Sequence, residues 1–225
     1  MKVLKKILTI ILIIIVMTVC VVCISLGMLK KKTNSILDDY SSIYTNTKYQ
    51  DSILIDNIDV FKQDVSCGYA VIEMFAKWDN NFKITEKSLY EEYGKVVTST
   101  GKSFEEEMNK QFTNYTTTMY KYLKSSELID KVYDSLSNGI PVPFEWAAKY
   151  NDEWTLHYSL IVGIDIPNDK ITVANPYGYI EEITIKEFIN RSSFEAYDNM
   201  PIYFKLAFAA NIFEKNTIFI VEENR

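Results

Sequence analysis

Histidine is almost absent from this chain, and thiols are nearly so. One histidine and three cysteines stand among 225 residues. Cys20 and Cys23 lie inside an apolar run near the N-terminus, which leaves Cys67 as the lone thiol and His157 as the lone imidazole of the rest. A disulfide framework needs pairs, and a structural zinc site needs several thiolate or imidazole ligands, so both are excluded beyond the apolar run. Positive charge is in deficit: 24 Lys and Arg against 30 Asp and Glu give a net charge of -6. No basic patch interleaves with aromatics. A phosphate backbone demands a concentrated positive surface, which excludes nucleic acid as a partner. A glycine-rich phosphate loop of the P-loop kind is missing as well.

What the chain does have is apolar: 48% of residues are hydrophobic and 14% aromatic, enough for one sizeable core. Residues 7–29 carry no charge. At a rise of ~1.5 Å per residue, about 20 apolar residues cross the hydrocarbon layer, so the run is long enough for a transmembrane helix. No small-x-small site follows, and Val precedes both Cys20 and Cys23. That fits an uncleaved anchor better than a signal peptide. Lys2, Lys5 and Lys6 flank one end and Lys30, Lys31 and Lys32 the other, so the positive-inside rule barely separates the orientations. The short leading segment favours an inside N-terminus. The expectation is a single-pass protein of the cell membrane with its C-terminal domain outside. Residues 1–32 form tip and anchor, 33–52 a polar tether, and 53–225 one domain.

Within that domain, apolar positions at Ala70, Val71, Met74, Phe75 and Trp78 predict a helix over 67–78. Further helices are expected over 85–93, from Ser103 with Glu106 as its capping-box partner, and over 123–137, ended by Asn138-Gly139. Strands are expected over 140–144, 155–166, 170–174, 179–183 and 217–221, with helical segments over 186–190 and 202–213. Helices first and an antiparallel sheet second make an α+β domain. The aromatics between Phe104 and Tyr133 read mostly as core, with a groove lining as the alternative, and Glu105, Glu106 and Glu107 as a solvated first turn rather than an acid-base pair.

Cys67 opens the first of these helices, where unpaired backbone donors and the positive end of the dipole favour a thiolate. Gly68 offers close approach of substrate and backbone, and Gln63 a side-chain donor for an oxyanion. Taken alone, the placement equally suits an inert core thiol. His157 begins an apolar strand, and Pro167-Asn168-Asp169 reads as the turn that returns the chain antiparallel. A turn centred near Asn168 sets Asn175 roughly opposite Ile161, on the face of His157. The asparagine carbonyl then meets one ring nitrogen and the other is left for a thiol. This register is assumed, and a slip of one residue reverses the face. Singly, His157 also suits a surface position and Asn175 an ordinary Asn-Pro turn.

The series Gln63-x-x-x-Cys67-Gly68-x-Ala70, then Asn138-Gly139-Ile140-Pro141-Val142, then His157 opening a strand to Val162-Gly163-Ile164-Asp165, then Asn175-Pro176-Tyr177-Gly178, resembles the peptidase C39-like family of papain-fold cysteine peptidases over about residues 53–221. The resemblance implies a papain-like cysteine peptidase fold with N-terminal helices packed on an antiparallel sheet. It implies Cys67 as nucleophile, His157 as general base and acid, Gln63 as oxyanion donor and Asn175 as the residue that orients the imidazole. Asn175 departs from the family, which usually has aspartate there, and Tyr69 stands where a small residue or proline is usual. The implied chemistry is acyl transfer through a Cys67 acyl-enzyme, without metal or organic cofactor, on a peptide or protein substrate. Three readings follow: a thiol peptidase acting on a peptide or cell-envelope amide, an acyltransferase or amidase using the same site, and an inactive binding module. The exporter leader peptidases of the family are joined to multi-span transporters with an ATPase, which this sequence does not contain.

Overall fold

The structure, a computed structural model, describes residues 2–94, 98–195 and 200–224. Helix α1 (Lys2–Ile36) is a single continuous helix, long and apolar enough to cross a membrane. The expected tether is not loose. Two 3-10 turns, Ser41–Thr45 and Thr47–Tyr49, lie against the domain, and Thr33, Ile36, Ile43 and Tyr49 are buried. Asp38 receives the backbone N–H of Ser126 at 3.0 Å and its hydroxyl at 2.6 Å. Polar composition suggests a linker, but four well-spaced anchors suffice to bind the segment down.

The domain continues through β1 (Ile53–Leu54), α2 (Cys67–Asp79), α3 (Glu86–Tyr93), α4 (Gly101–Gln111), β2 (Tyr115–Tyr120) and α5 (Ser125–Ser137). There follow β3 (Val142–Tyr150), β4 (Glu153–Asp165), β5 (Lys170–Asn175), β6 (Tyr179–Ile183), α6 (Ile185–Ser193), α7 (Ile202–Ala209) and β7 (Thr217–Glu223). The sheet is antiparallel in the order β2-β7-β3-β4-β5-β6, with β1 paired to the far end of β4. This is the α+β arrangement the sequence pattern implied.

Several boundaries moved for identifiable reasons. Helix α4 starts at Gly101 rather than Ser103, because Thr100 and Ser103, not Ser103 and Glu106, form the capping box. Strand β3 runs on past Phe144 through Glu145 and Lys149 to a two-residue hairpin, where Asn151 (φ 47°) and Asp152 (φ 67°) both take the left-handed conformation that such turns require. The charged residues concealed it. Strand β2 went unseen because its run of threonines offers little apolar alternation, although Tyr115 and Thr117 are buried. Helix α7 is shorter than expected and stops at Ala209.

Apolar residues pack on both faces of the sheet. One cluster joins α2 and α4 to Tyr158, Leu160 and Val162. The other joins α5 and α6 to Trp146, Ile161, Ile164 and Val173. Phe104, Phe112, Tyr115 and Tyr133 are buried within these clusters, as read from the sequence. Ile161 and Ile164 share a face although three residues apart. Strict alternation forbids this, and a bulge is responsible: Ile161 pairs with Val173 while Gly163 pairs with Thr172, leaving Val162 as the extra residue.

Candidate active site

Cys67 is the first residue of α2, and the loop before it is held by a residue that the motif did not reveal. The carboxylate of Glu86, at the start of α3, accepts the backbone N–H groups of Asp64 (2.8 Å), Val65 (2.6 Å) and Ser66 (2.5 Å). Three donors converging on one nearly buried carboxylate fix the loop that delivers Gln63 and Cys67. They also occupy every backbone donor from 64 to 66, so the Cys67 N–H is the first of the helix terminus left for a ligand. The helix over 85–93 was legible in sequence; the reach of Glu86 across a loop was not. Gly68 serves packing instead of substrate approach: a Cβ there would lie 2.5 Å from Thr98 Oγ1.

The same loop is fastened on its other side. Gln63 N–H donates to Pro176 O at 2.7 Å, and Lys62 bridges Tyr177. Gly178 (φ +94°) allows this approach, since a Cβ would stand 3.2 Å from the Lys62 backbone nitrogen. The Asn175–Gly178 turn is thereby stitched to the loop carrying Gln63.

His157 and Asn175 meet because of the bulge. Near the turn, Asp165 pairs with Lys170 and Ile164 with Ile171. Continued without interruption, that register would set Asn175 opposite Leu160, on the α2 face. The extra residue at Val162 shifts the pairing so that Ala174 faces Leu160 and Asn175 falls beside Ser159, on the face of His157. The sequence-based register, Asn175 opposite Ile161, is off by two residues; an even error preserves the face. His157 Nε2 stands 3.1 Å from Asn175 Oδ1. The amide is oriented from both ends: Oδ1 accepts the Tyr177 N–H at 3.0 Å, and Nδ2 donates to Glu181 Oε2 at 3.0 Å. With an oxygen acceptor at that position, the bond to His157 has Nε2–H as donor, leaving Nδ1 as the basic nitrogen. Glu181 is paired in turn with Arg191, whose Nη1 lies 2.5 Å from Oε1 and whose Nε donates to Ala147 O at 2.8 Å. The Arg191 guanidinium also lies 3.4 Å above the Trp146 ring. Neither Glu181 nor Arg191 was singled out from sequence, and nothing short of the register links them to Asn175.

Cys67, Gln63 and His157 line one cleft of about 550 Å³, together with Tyr150, Trp154, Tyr177, Tyr203 and Phe204. The imidazole is stacked on Tyr177, with ring centroids 4.2 Å apart. Strand β5 stops at Asn175, so β4 beyond Ser159 has an uncovered edge. Tyr158, beside that edge, and Cys67 belong to one apolar cluster.

Burial dominates the electrostatics. It pushes the Cys67 thiol up to about 11, against the pull of backbone donors from Tyr158, Gly68 and Cys67 itself. Desolvation of the half-buried thiol thus works against the thiolate that the helix terminus favours. Burial likewise pushes His157 down to about 3, opposed by the Asn175 hydrogen bond. The resting pair is a neutral thiol and a neutral imidazole. Behind them, burial pushes Glu145 up to about 7. Its carboxyl faces the Tyr158 hydroxyl, and neither group has another hydrogen-bond partner among the described residues. No cluster of potential metal-ligating side chains occurs among the described residues.

With this geometry in place, comparison with known proteins gives a family. The sequence profile of the Peptidase_C39 like family matches residues 55–202. Among solved structures, the chain is similar to a double glycine motif protease from an AMS/PCAT transporter, crystallised in complex with the leader peptide. That likeness has 12% identity and a TM-score of 0.49 over 78% of this chain and 100% of that one. No match is found among curated proteins.

Proposed function

Starting from the premise that the chain belongs to the peptidase C39-like family, we propose that it is a membrane-anchored cysteine peptidase, working from outside the membrane on a peptide or cell-envelope amide. Cys67 is the nucleophile, His157 the general base and acid, Asn175 the residue that orients the ring and Gln63 the oxyanion donor. The observation that carries this reading is the His157 Nε2–Asn175 Oδ1 hydrogen bond, made in the cleft that Cys67 and Gln63 also line.

Because thiol and imidazole start neutral, proton transfer from Cys67 to His157 Nδ1 accompanies attack on the carbonyl. The tetrahedral oxyanion is taken up by the Gln63 amide and the Cys67 N–H. His157 then protonates the leaving amine, giving an acyl-enzyme. It next draws a proton from water, and hydrolysis frees the acid and the thiol. Asn175 bears no charge, so it holds the tautomer without supplying a full counter-charge to the imidazolium.

Two measurements on the full chain in detergent micelles test the proposal. Iodoacetamide alkylation of Cys67, read by mass spectrometry, is expected to fall at least tenfold at neutral pH in His157→Ala. Its dependence on the base should persist well below pH 6, because His157 is buried neutral. Incubation with a peptide library should give new N-termini that vanish in Cys67→Ala. Cleavage that survives Cys67→Ala overturns the assignment, whereas acyl transfer to added amines in place of hydrolysis would redirect it to an acyltransferase.

A further inference from the structure

The end of α1, helix α7 and one wall of the cleft share a single apolar cluster. Leu29, Phe204 and Phe213 pack against a buried cluster that includes Phe208 and Phe194, and Trp154 and Leu156 pack against the same cluster. Of these, Phe204, Trp154 and Leu156 also line the cleft. Exposure along α1 changes at this point. Residues 2–21 are exposed all round, while Val22, Ser25, Leu26 and Leu29 are partly covered, at the spacing of one helix face. Helix α7 is the element packed against α1 there.

The uncharged run extends to Leu29 and is followed by Lys30, Lys31 and Lys32. A helix that crosses the hydrocarbon layer with this run has its last seven or so residues, about 10 Å of rise, alongside α7. The partner of those residues is therefore at the depth of the bilayer interface. Helix α7 has the matching surface: Ile202 (62%), Tyr203 (62%) and Leu206 (39%) are exposed on it, and Ile212 (53%) is exposed just beyond. Large apolar side chains grouped beside a span, with a tyrosine among them and lysines at the margin, are the pattern of an interfacial helix.

We propose that α7 lies in the membrane interface and sets the mouth of the Cys67 cleft at the bilayer surface, so that the substrate is a peptide segment held at that surface by its own membrane attachment. The occupant of the exposed α7 face is lipid, because that face is continuous with the span itself. Tyr203 and Phe204 join the two functions: on α7 they belong to the membrane-facing element, and in the cleft they form its rim. This inference rests on the membrane-anchored peptidase reading and narrows its substrate class to membrane-tethered peptides.

The test uses the full chain in phospholipid nanodiscs containing a diazirine-bearing phosphatidylcholine. Cross-links are expected in α1 and also at Ile202, Tyr203, Leu206 or Ile212. They should be lost from α7 in Ile202→Ser/Leu206→Ser, whose α1 labelling stays unchanged. In the same discs, an iodoacetamide carried on a lipid headgroup through a ten-residue flexible peptide, reaching roughly 35 Å when extended, should alkylate Cys67 at least tenfold faster than untethered peptide iodoacetamide at equal bulk concentration. Labelling of α1 without α7, or no advantage for the tethered reagent while free iodoacetamide reaches Cys67, overturns the inference and leaves the peptidase reading standing. Absence of α1 labelling overturns the anchor itself, and the inference with it. Failure of free iodoacetamide at Cys67 overturns the peptidase reading, and the inference with it.

Discussion

The two sides of the cleft, that of the proposed nucleophile Cys67 and that of the proposed base His157, are held by opposite means. On the nucleophile side, backbone does the holding: three successive N–H groups converge on Glu86, and Gln63 N–H bonds to Pro176 O. On the base side, side chains hold side chains, in the series His157–Asn175–Glu181–Arg191. A backbone-held loop tolerates many side chains provided that the one acceptor persists. A side-chain relay depends on every member and on the strand register that aligns them. The nucleophile side should therefore fail through stability, and the base side through chemistry.

Glu86→Ala offers the largest expected effect on that contrast. Three donors lose a charged acceptor, and a cost of about 3–4 kcal/mol is expected from charge-assisted hydrogen bonds, lowering Tm by roughly 10 °C. Thermal melts of the full chain read it. A small shift accompanied by a large loss of Cys67 reactivity would break the contrast.

Glu145→Gln comes next and acts through pH. The Glu145 carboxyl is raised from 4.5 to about 7 in the folded protein, so the folded state binds more protons than the unfolded between those values. Its contribution is intact below pH 4.5 and is lost as pH rises through 7. The variant should match the parent near pH 4.5 and exceed it by about 3 kcal/mol above pH 7, at roughly 1.4 kcal/mol per pH unit. His157 acts with the opposite sign: lowered to about 3, it costs the folded state stability as pH falls from 6.5 toward 3. Urea titrations at pH 5 and 8 separate the two groups.

On the base side, Asn175→Asp would set a second carboxylate against Glu181, now 3.0 Å from the Asn175 amide nitrogen. Despite restoring the residue usual in the family, it is expected to lose tenfold or more in Cys67 alkylation at neutral pH. The double variant Asn175→Asp/Glu181→Gln should recover it, with Tm little changed. Since His157 is the only histidine, selective 15N-histidine labelling reports its tautomer directly, and Nε2–H is expected. A gain from Asn175→Asp alone would remove Glu181 from the relay. Smallest is Gly163→Ala, expected to cost about 1–2 kcal/mol by overpacking, because a Cβ there would stand 3.0 Å from Ile53 O. It would loosen β1 without touching either side of the cleft.

The nucleophile side was the more legible in sequence. Helix α2 follows from its apolar spacing, Cys67 stands at its first turn, and the anchor run and most strands are local patterns of the same kind. Gly68 was visible but misread, since its neighbour, Thr98, comes from another part of the chain. The tether was misread for a similar reason: composition reports solubility and says nothing of Ile36, Ile43 and Tyr49 finding pockets.

What the sequence determined by itself is whatever depends on nearest neighbours along the chain: periodicity, the uncharged span, the turn after Ile166, and the scarcity that left Cys67 and His157 each alone. Tertiary structure decided which face Asn175 occupies, because a single extra residue at Val162 reverses one segment of β4 relative to β5, and local propensity scarcely distinguishes a bulge from a regular strand. It also decided the protonation of the site. Burial is a property of the assembled fold, and at Cys67 it opposes the helix terminus that the sequence placed beneath the thiol.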